Sequence, residues 1–308
     1  MAIPLVTVLM AVYNGEKYLV EAIESILSQS LQDFEFLIID DASTDTSRKL
    51  IKGFHDKRIN VVSNSENLRL AASLNRGMHL ARGEYIARMD ADDISLPQRL
   101  EKQVAYMEDH REIGVSGTWL ECFGDLTGIW DYPCDSATIK AGMLFQNRLG
   151  HPTVIMRRQW MLRQGLFYDP DFLEAEDYKL WTKCAEHFSL GNVGEVLLKY
   201  RWHKGQASQV NSQLQYKYHS LVCRDELLRL GVEAGDDELD LHLAISFLEL
   251  TSTVSLAACQ QWLQRLWEAN QYSGHYQPEA FMGVLEDRWH KLNQLYNTDA
   301  GRLFDSPA

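Results

Sequence analysis

The sequence predicts an α/β fold: a Rossmann-like, mostly parallel sheet flanked by helices, with a helical C-terminal region. Three observations carry this. Short apolar, β-branched runs alternate with stretches of helical periodicity through the first ninety residues. Acidic or polar clusters stand directly after three of those runs. After about residue 205 the strand signals thin out and long helical stretches take over.

Each element has its own reason. Residues 5–12 (LVTVLMAV) read as a strand buried on both faces, broken by Tyr13-Asn14-Gly15. Leu19, Ala22, Ile23, Ile26 and Leu27 recur at helical spacing, so residues 16–29 form a helix with one apolar face. Residues 34–39 (FEFLII) are a second strand, followed by Asp40-Asp41 and a helix to about residue 54 for which Ser43 or Thr44 is the expected cap. A strand at 59–63, a helix at 70–81 and a strand at 84–89 complete the first half. Further strands are expected at 114–120, 153–157 and 196–202, and a helix at 176–187. The C-terminal region reads as helices over 207–230, 236–255, 256–270 and 277–295, with Trp262 and Trp267 in the core.

Composition excludes several classes. The chain has 308 residues, 45% of them hydrophobic, which is too apolar for a disordered segment. Thirty basic against 43 acidic residues leave a formal charge of −13, against nucleic acid and polybasic lipid anchoring. No apolar run reaches the roughly 18 residues of a membrane span, and no basic region precedes residues 5–12 as in a secretory signal. Five cysteines without a CxxC pair suit reduced thiols in a cytosol. Zinc-finger, HExxH, Walker and GxGxxG patterns are absent.

In a parallel sheet, ligands bind beyond the carboxyl ends of the strands, and Tyr13-Asn14, Asp40-Asp41 and Asp90-Ala91-Asp92-Asp93 all stand there. Three carboxylates in four residues repel one another. Either a divalent cation such as magnesium or manganese relieves that, or the segment is a solvated acidic turn. Asp40-Asp41 could accept from a base N–H or a ribose hydroxyl, or serve turn chemistry. Glu176 and Asp177 open a helix, where acidic residues are routine, but a carboxylate there could also be a general base. His203 at a strand end, and His151 in His151-Pro152-Thr153, are structural residues or nitrogen ligands.

Taken together, four stretches resemble family 2 glycosyltransferases, inverting enzymes with the A-type nucleotide-sugar fold. They are VTVLMAVYNGEKYLVEAIESILSQSLQDFEFLIIDDASTD, NLRLAASLNRGMHLARGEYIARMDADDISLPQRLEKQ, FLEAEDYKLW and YRWHKGQASQ. The likeness spans about residues 3–210 and leaves the C-terminal helices unmatched. It implies a transferase domain over 1–205, with a donor half at 1–110 and an acceptor half at 111–205, ahead of a helical region at 206–308. Ala11, Tyr13 and Asn14 would then surround the nucleotide base, and Asp41, with Asp40 beside it, would touch base or ribose. Asp90 and Asp92 form the DxD motif with Asp93 adjacent, Asp92 being the first choice of metal ligand and His203 reaching the metal or diphosphate. Asp177 would be the catalytic base and Glu176 its orienting neighbour. Where the family often has glycine two residues after the third-loop asparagine, Arg69 stands here, placed for diphosphate, base or solvent.

The resemblance further implies a manganese or magnesium cofactor, a nucleotide-sugar donor with UDP favoured, and a polysaccharide or glycolipid acceptor. The sugar would be a hexose or N-acetylhexosamine. Nucleic acid is not an expected partner; a second copy of the chain or a peripheral membrane partner is open. The expected location is the cytoplasm, up to the inner face of a membrane. Two other readings stand beside this one: a sugar nucleotidyltransferase, which would want a glycine-rich basic loop after the first strand, and a non-catalytic scaffold on a degenerate transferase fold.

Overall fold

A computed structural model describes residues 3–206, 210–249, 254–296 and 303. The described residues fall into two compact units, one of residues 1–134 with 149–212 and one of residues 135–148 with 213–308.

The first unit holds the sheet. Strands β1 (Val6–Val12), β2 (Phe34–Asp40), β3 (Ile59–Ser63) and β4 (Tyr85–Met89) run parallel in the order β3-β2-β1-β4. Helices α1 (Leu19–Leu27), α2 (Ser47–Lys52) and α3 (Arg69–Leu80) connect them. Beyond β4 the sheet is mixed. It continues through β8 (Ile155–Arg157), β6 (Ile113–Gly124), β9 (Ser189–Trp202) and the two-residue β5 (Ile94–Ser95), and β7 (Gly128–Trp130) forms a hairpin with β6. Parallel pairing returns only between β6 and β9. The predicted α/β class is therefore the observed one, with its parallel part in the N-terminal half.

The apolar runs form central strands because both faces are covered. Six of seven residues in β1 and all seven in β2 are buried. Of the three polar residues in these strands, Thr7 and Glu35 satisfy each other: Thr7 Oγ1 donates to Glu35 Oε1 at 2.7 Å and accepts from the Gly83 N–H at 2.9 Å. Burial pushes the Glu35 carboxyl up, but the bonds from Thr7 and Arg82 outweigh it and hold the group below its usual value.

Several elements differ from expectation for local reasons. Helix α2 starts at Ser47, not at a Ser43 or Thr44 cap, because those residues bind the loop after β1. The two-residue β5 exists only by pairing with Leu198 and Lys199 of β9. Helix α4 (Arg99–Asp109) was not legible, since two of its inward residues are Arg99 and Gln103. They hydrogen-bond each other at 3.0 Å, and Arg99 Nη2 donates to the Arg88 carbonyl at 2.6 Å. The short α5 (Ser136–Gly142) and α6 (Arg158–Arg163) were likewise unforeseen. Helix α7 (Glu176–Cys184) begins where expected.

The second unit is helical: α5 with α8 (Ser212–Leu230), α9 (Asp236–Phe247), α10 (Leu256–Ser273) and α11 (Pro278–Leu295). The expected helical residues 207–209 and 250–253 lie outside the described residues. Trp262 is 4% exposed, and Trp267 is half-buried against Phe281. No helix among the described residues is long and apolar enough to cross a membrane.

Candidate active site

The strand ends assemble the site. At the end of β1, Asn14 takes a left-handed backbone (φ 52°) and its side-chain oxygen accepts from the backbone N–H groups of Thr44 (2.8 Å) and Asp45 (3.3 Å). The Gly15 N–H donates to Ser47 Oγ at 2.9 Å. These bonds tie the loop after β1 to the loop after β2, leaving Tyr13 half exposed and Ala11 half-buried. A Cβ on Gly15 would lie 3.7 Å from that of Ala91, so the acidic loop after β4 is its neighbour.

Asp40 and Asp41 differ. Asp40 is fully buried, accepting from the Ser43 N–H at 3.1 Å through Oδ1 and from Arg48 Nε through Oδ2. Both of its oxygens thus turn the chain. Asp41 N–H donates to the Val12 carbonyl at 2.8 Å. Its Oδ1 accepts from Asn64 Nδ2 (2.6 Å) and the Leu68 N–H (2.8 Å), which carries the third loop to the same rim. Arg69 follows directly. Its φ of 67° is in the left-handed region that favours glycine, and its side chain is exposed.

Carboxylate oxygens of Asp90, Asp92 and Asp93 lie within 4.8 Å of one another. Arg88, buried at the end of β4, donates to Asp90 Oδ2. Asp93 Oδ1 accepts from the Arg201 N–H at 2.8 Å, while its Oδ2 is buried without a partner among the described residues. Burial first, then the charges of Asp92 and Asp90, push the Asp93 carboxyl well above its usual value. His203 Nε2 sits 3.1 Å from Asp92 Oδ2, and the Gly205 N–H donates to its Nδ1 at 3.2 Å. A neutral ring in this arrangement carries its proton on Nε2, facing Asp92; to ligate a cation through Nε2 it would carry that proton on Nδ1 instead. Clustered oxygens, one of them orphaned, beside an imidazole nitrogen fit a magnesium- or manganese-like cation.

A second cluster lies at the start of α7. Ligand atoms of His151, Glu176 and Asp177 fall within 4.8 Å of one another. His151 Nδ1 is 4.0 Å from both carboxylates, and its Nε2 is 3.0 Å from the Tyr168 hydroxyl. Burial raises the Glu176 carboxyl, and the Asp177 charge raises it further. Burial likewise raises Asp177, to about 6, although the Tyr178 N–H and the Arg88 charge oppose it. His151 is held neutral, first by burial and then by Arg88.

Arg88 is the residue that sequence reasoning missed. Burial lowers its pKa, but the charge of Asp90 and those of Tyr168 and Asp93 outweigh that. The same guanidinium acts on Asp177, and so does the Asp90 charge. The two clusters therefore share one low-dielectric environment. The available signal was a lone arginine inside the apolar run YIARM. Arg201, inside the stretch YRWHKGQASQ, donates through Nε to the Asp92 carbonyl at 2.8 Å and pairs with Glu21.

The structure thus joins Asp90, Asp92, Asp93 and His203, and sets Glu176 and Asp177 in the same field. Tyr13, Asn14, Asp41 and Arg69 stand on the loops after the first three strands and Ala11 near the end of β1, while Asp40 lies buried beneath them. Residues 7–169 match the profile of glycosyl transferase family 2. The chain belongs to that family. An uncharacterized glycosyltransferase of Haemophilus influenzae is 35% identical over 260 residues, covering 80% of each chain. The O-antigen biosynthesis glycosyltransferase WbnJ of Escherichia coli is 31% identical over 231 residues, covering 72% of this chain and 89% of its own. In fold, this family 2 chain is similar to S. aureus TarS 1–349, solved with UDP-GlcNAc. The TM-score is 0.64 at 18% identity, covering 95% of this chain and 91% of that one.

Proposed function

We propose that this glycosyltransferase is metal-dependent and inverting, and moves a hexosyl or N-acetylhexosaminyl group from a nucleotide sugar to a hydroxyl of a polysaccharide or glycolipid. The observation that carries the proposal is Asp177, pushed up to about 6 and electrostatically linked to Asp90 through one buried environment. A carboxylate near pH 6 is an effective base at neutral pH, because it is mostly ionised yet still basic. UDP is the first choice of nucleotide, supported by the UDP-GlcNAc bound by the structurally similar TarS.

On this reading Asp41, Ala11, Tyr13 and Asn14 face the nucleoside, while Asp40 keeps the loop in shape and Arg69 stands at the rim. Asp92 and His203 would hold a manganese or magnesium ion, with Asp90 and Asp93 beside them, and when bound it neutralises charge on the leaving diphosphate. The acceptor hydroxyl loses its proton to Asp177 as its oxygen bonds to the anomeric carbon. The bond from that carbon to the diphosphate oxygen breaks, and the electron pair leaves with the nucleoside diphosphate. Glu176, held beside Asp177, orients the base. One base suffices for one displacement, so the anomeric configuration inverts.

The test is UDP release from UDP-glucose and UDP-N-acetylglucosamine with manganese. Slow release that falls at least tenfold with EDTA, and in Asp92→Ala, is the expected result. Absence of release from these and from GDP- and dTDP-sugars would overturn the proposal, and pyrophosphate consumption would point to a nucleotidyltransferase.

A further inference from the structure

The hairpin of β6 and β7 carries an aromatic group that the proposed chemistry does not use. Trp130 is 38% exposed, and its ring centroid lies 5.7 Å from Tyr200 and 5.8 Å from Trp202. Tyr200 and Trp202 are themselves 6.2 Å apart. Sheet register puts the three on one face: Trp130 opposes Leu120, Tyr200 opposes Cys122 and Trp202 opposes Gly124. Gly124 has no side chain to cover the indole across from it. The charged pair Glu121 and Lys199 occupies the alternate positions and so the other face.

Hydrogen bonds connect this ledge to the cluster around Asp92. On one side Gln206 Nε2 donates to the Tyr200 hydroxyl at 3.2 Å and Gln206 Oε1 accepts from the His203 N–H at 2.9 Å. The His203 ring in turn meets Asp92 at 3.1 Å. On the other side a Cβ on Gly150 would stand 3.1 Å from Leu120 Cδ2 and 3.3 Å from the Tyr132 ring. Gly150 precedes His151, the neighbour of Asp177. The ledge is therefore bonded toward Asp92, and Leu120, the cross-strand partner of Trp130, packs by the loop that carries His151.

We propose that Trp130, Tyr200 and Trp202 form the acceptor subsite, stacking on the apolar C–H face of a pyranose ring. This rests on the glycosyl-transfer reading above. Aromatic rings present flat apolar area at low conformational cost, and a sugar ring offers a matching face while its hydroxyls stay outward. The subsite is built for a neutral pyranoside, held beside the His203–Asp92 contact through Gln206.

Two measurements test it. The first is UDP release from UDP-glucose and UDP-N-acetylglucosamine, stimulated by methyl glycosides of glucose, galactose and N-acetylglucosamine. Trp130→Ala should raise the half-saturating glycoside concentration at least tenfold, and Trp130→Phe should restore it to within threefold. Ile129→Ala, on the opposite face of the same strand, should leave it at the wild-type value. Equal half-saturation in Trp130→Ala and wild type, or an equal loss in Ile129→Ala, would overturn the subsite. The second measurement needs no turnover: 19F NMR of 5-fluorotryptophan-labelled protein with UDP, titrated with the same glycosides. Saturable shifts of the Trp130 and Trp202 signals are expected. Static Trp130 and Trp202 signals overturn the subsite, whereas shifts without UDP release overturn the transfer reading alone.

Discussion

At the scale of single residues, Asp177 concentrates the proposal. Its carboxyl is raised by burial, so the folded chain holds that proton more tightly than the unfolded chain does. Stability from this group is therefore greatest at low pH and falls as pH rises through the window from 3.8 to about 6. Asp177→Asn removes a buried charge at pH 8 and should stabilise the protein by about 1–3 kcal/mol, read as a rise in Tm. The same variant should lose roughly 10²–10⁴-fold in turnover, the usual worth of a general base. Its nucleotide affinity, measured by calorimetry, should stay near wild type. A variant that is neither more stable nor slower would remove Asp177 from the role. The pH profile of wild-type kcat/KM should climb with pH and level off above the Asp177 value of about 6; a rate that falls over that range contradicts the assignment. The acidic partners of this chemistry were readable as motifs, since carboxylates at strand ends stand out. Arg88 was not, because it reads as part of the buried strand YIARM and its influence on Asp177 comes from the other half of the domain.

At the scale of elements, the helical unit contains its own pH-sensitive contacts. His219 donates through Nε2 to the Phe145 carbonyl at 3.0 Å, and His242 does the same to Leu144 at 2.9 Å. Trp262 Nε1 donates to His242 Nδ1 at 3.1 Å, so the proton of that ring sits on Nε2. Burial outweighs the hydrogen bonds to Phe145 and Leu144 in both rings and pushes them down to about 4. Unfolded histidine takes up protons that the folded rings refuse, so stability falls as pH drops from 6.5 toward 4. Between pH 7 and pH 5 the loss should be about 2–4 kcal/mol, visible in urea midpoints. The His219→Gln, His242→Gln double variant should flatten that dependence. Close packing gives a second prediction. A Cβ on Gly83 would lie 2.4 Å from the Thr7 backbone nitrogen, so Gly83→Ala forces β1 and β4 apart. It should cost about 1–3 kcal/mol by thermal unfolding. The long strands and helices were legible because period and burial agree over many residues. Helix α4 was hidden by its inward Arg99 and Gln103, and β5 exists only because β9 pairs with it. Neither fact is local, so no window of sequence contains it.

At the scale of the whole molecule, a chain of net charge −13 is proposed to act on an anionic nucleotide. The sheet reconciles the two by gathering its acidic side chains at the strand ends, where a bound cation inverts the local field. The parallel run of the strands through β4 was foreseeable from the alternation of strands and helices, though their order β3-β2-β1-β4 was not. The mixed half beyond β4 was not, because its pairings join segments up to 105 residues apart, as Ile94 and Lys199 are. Stereochemistry tests the central claim most directly: time-resolved ¹H NMR of the sugar released from UDP-α-glucose by the manganese-loaded enzyme. A single displacement assisted by Asp177 predicts β-glucose as the first product, before mutarotation. First appearance of α-glucose would contradict the account.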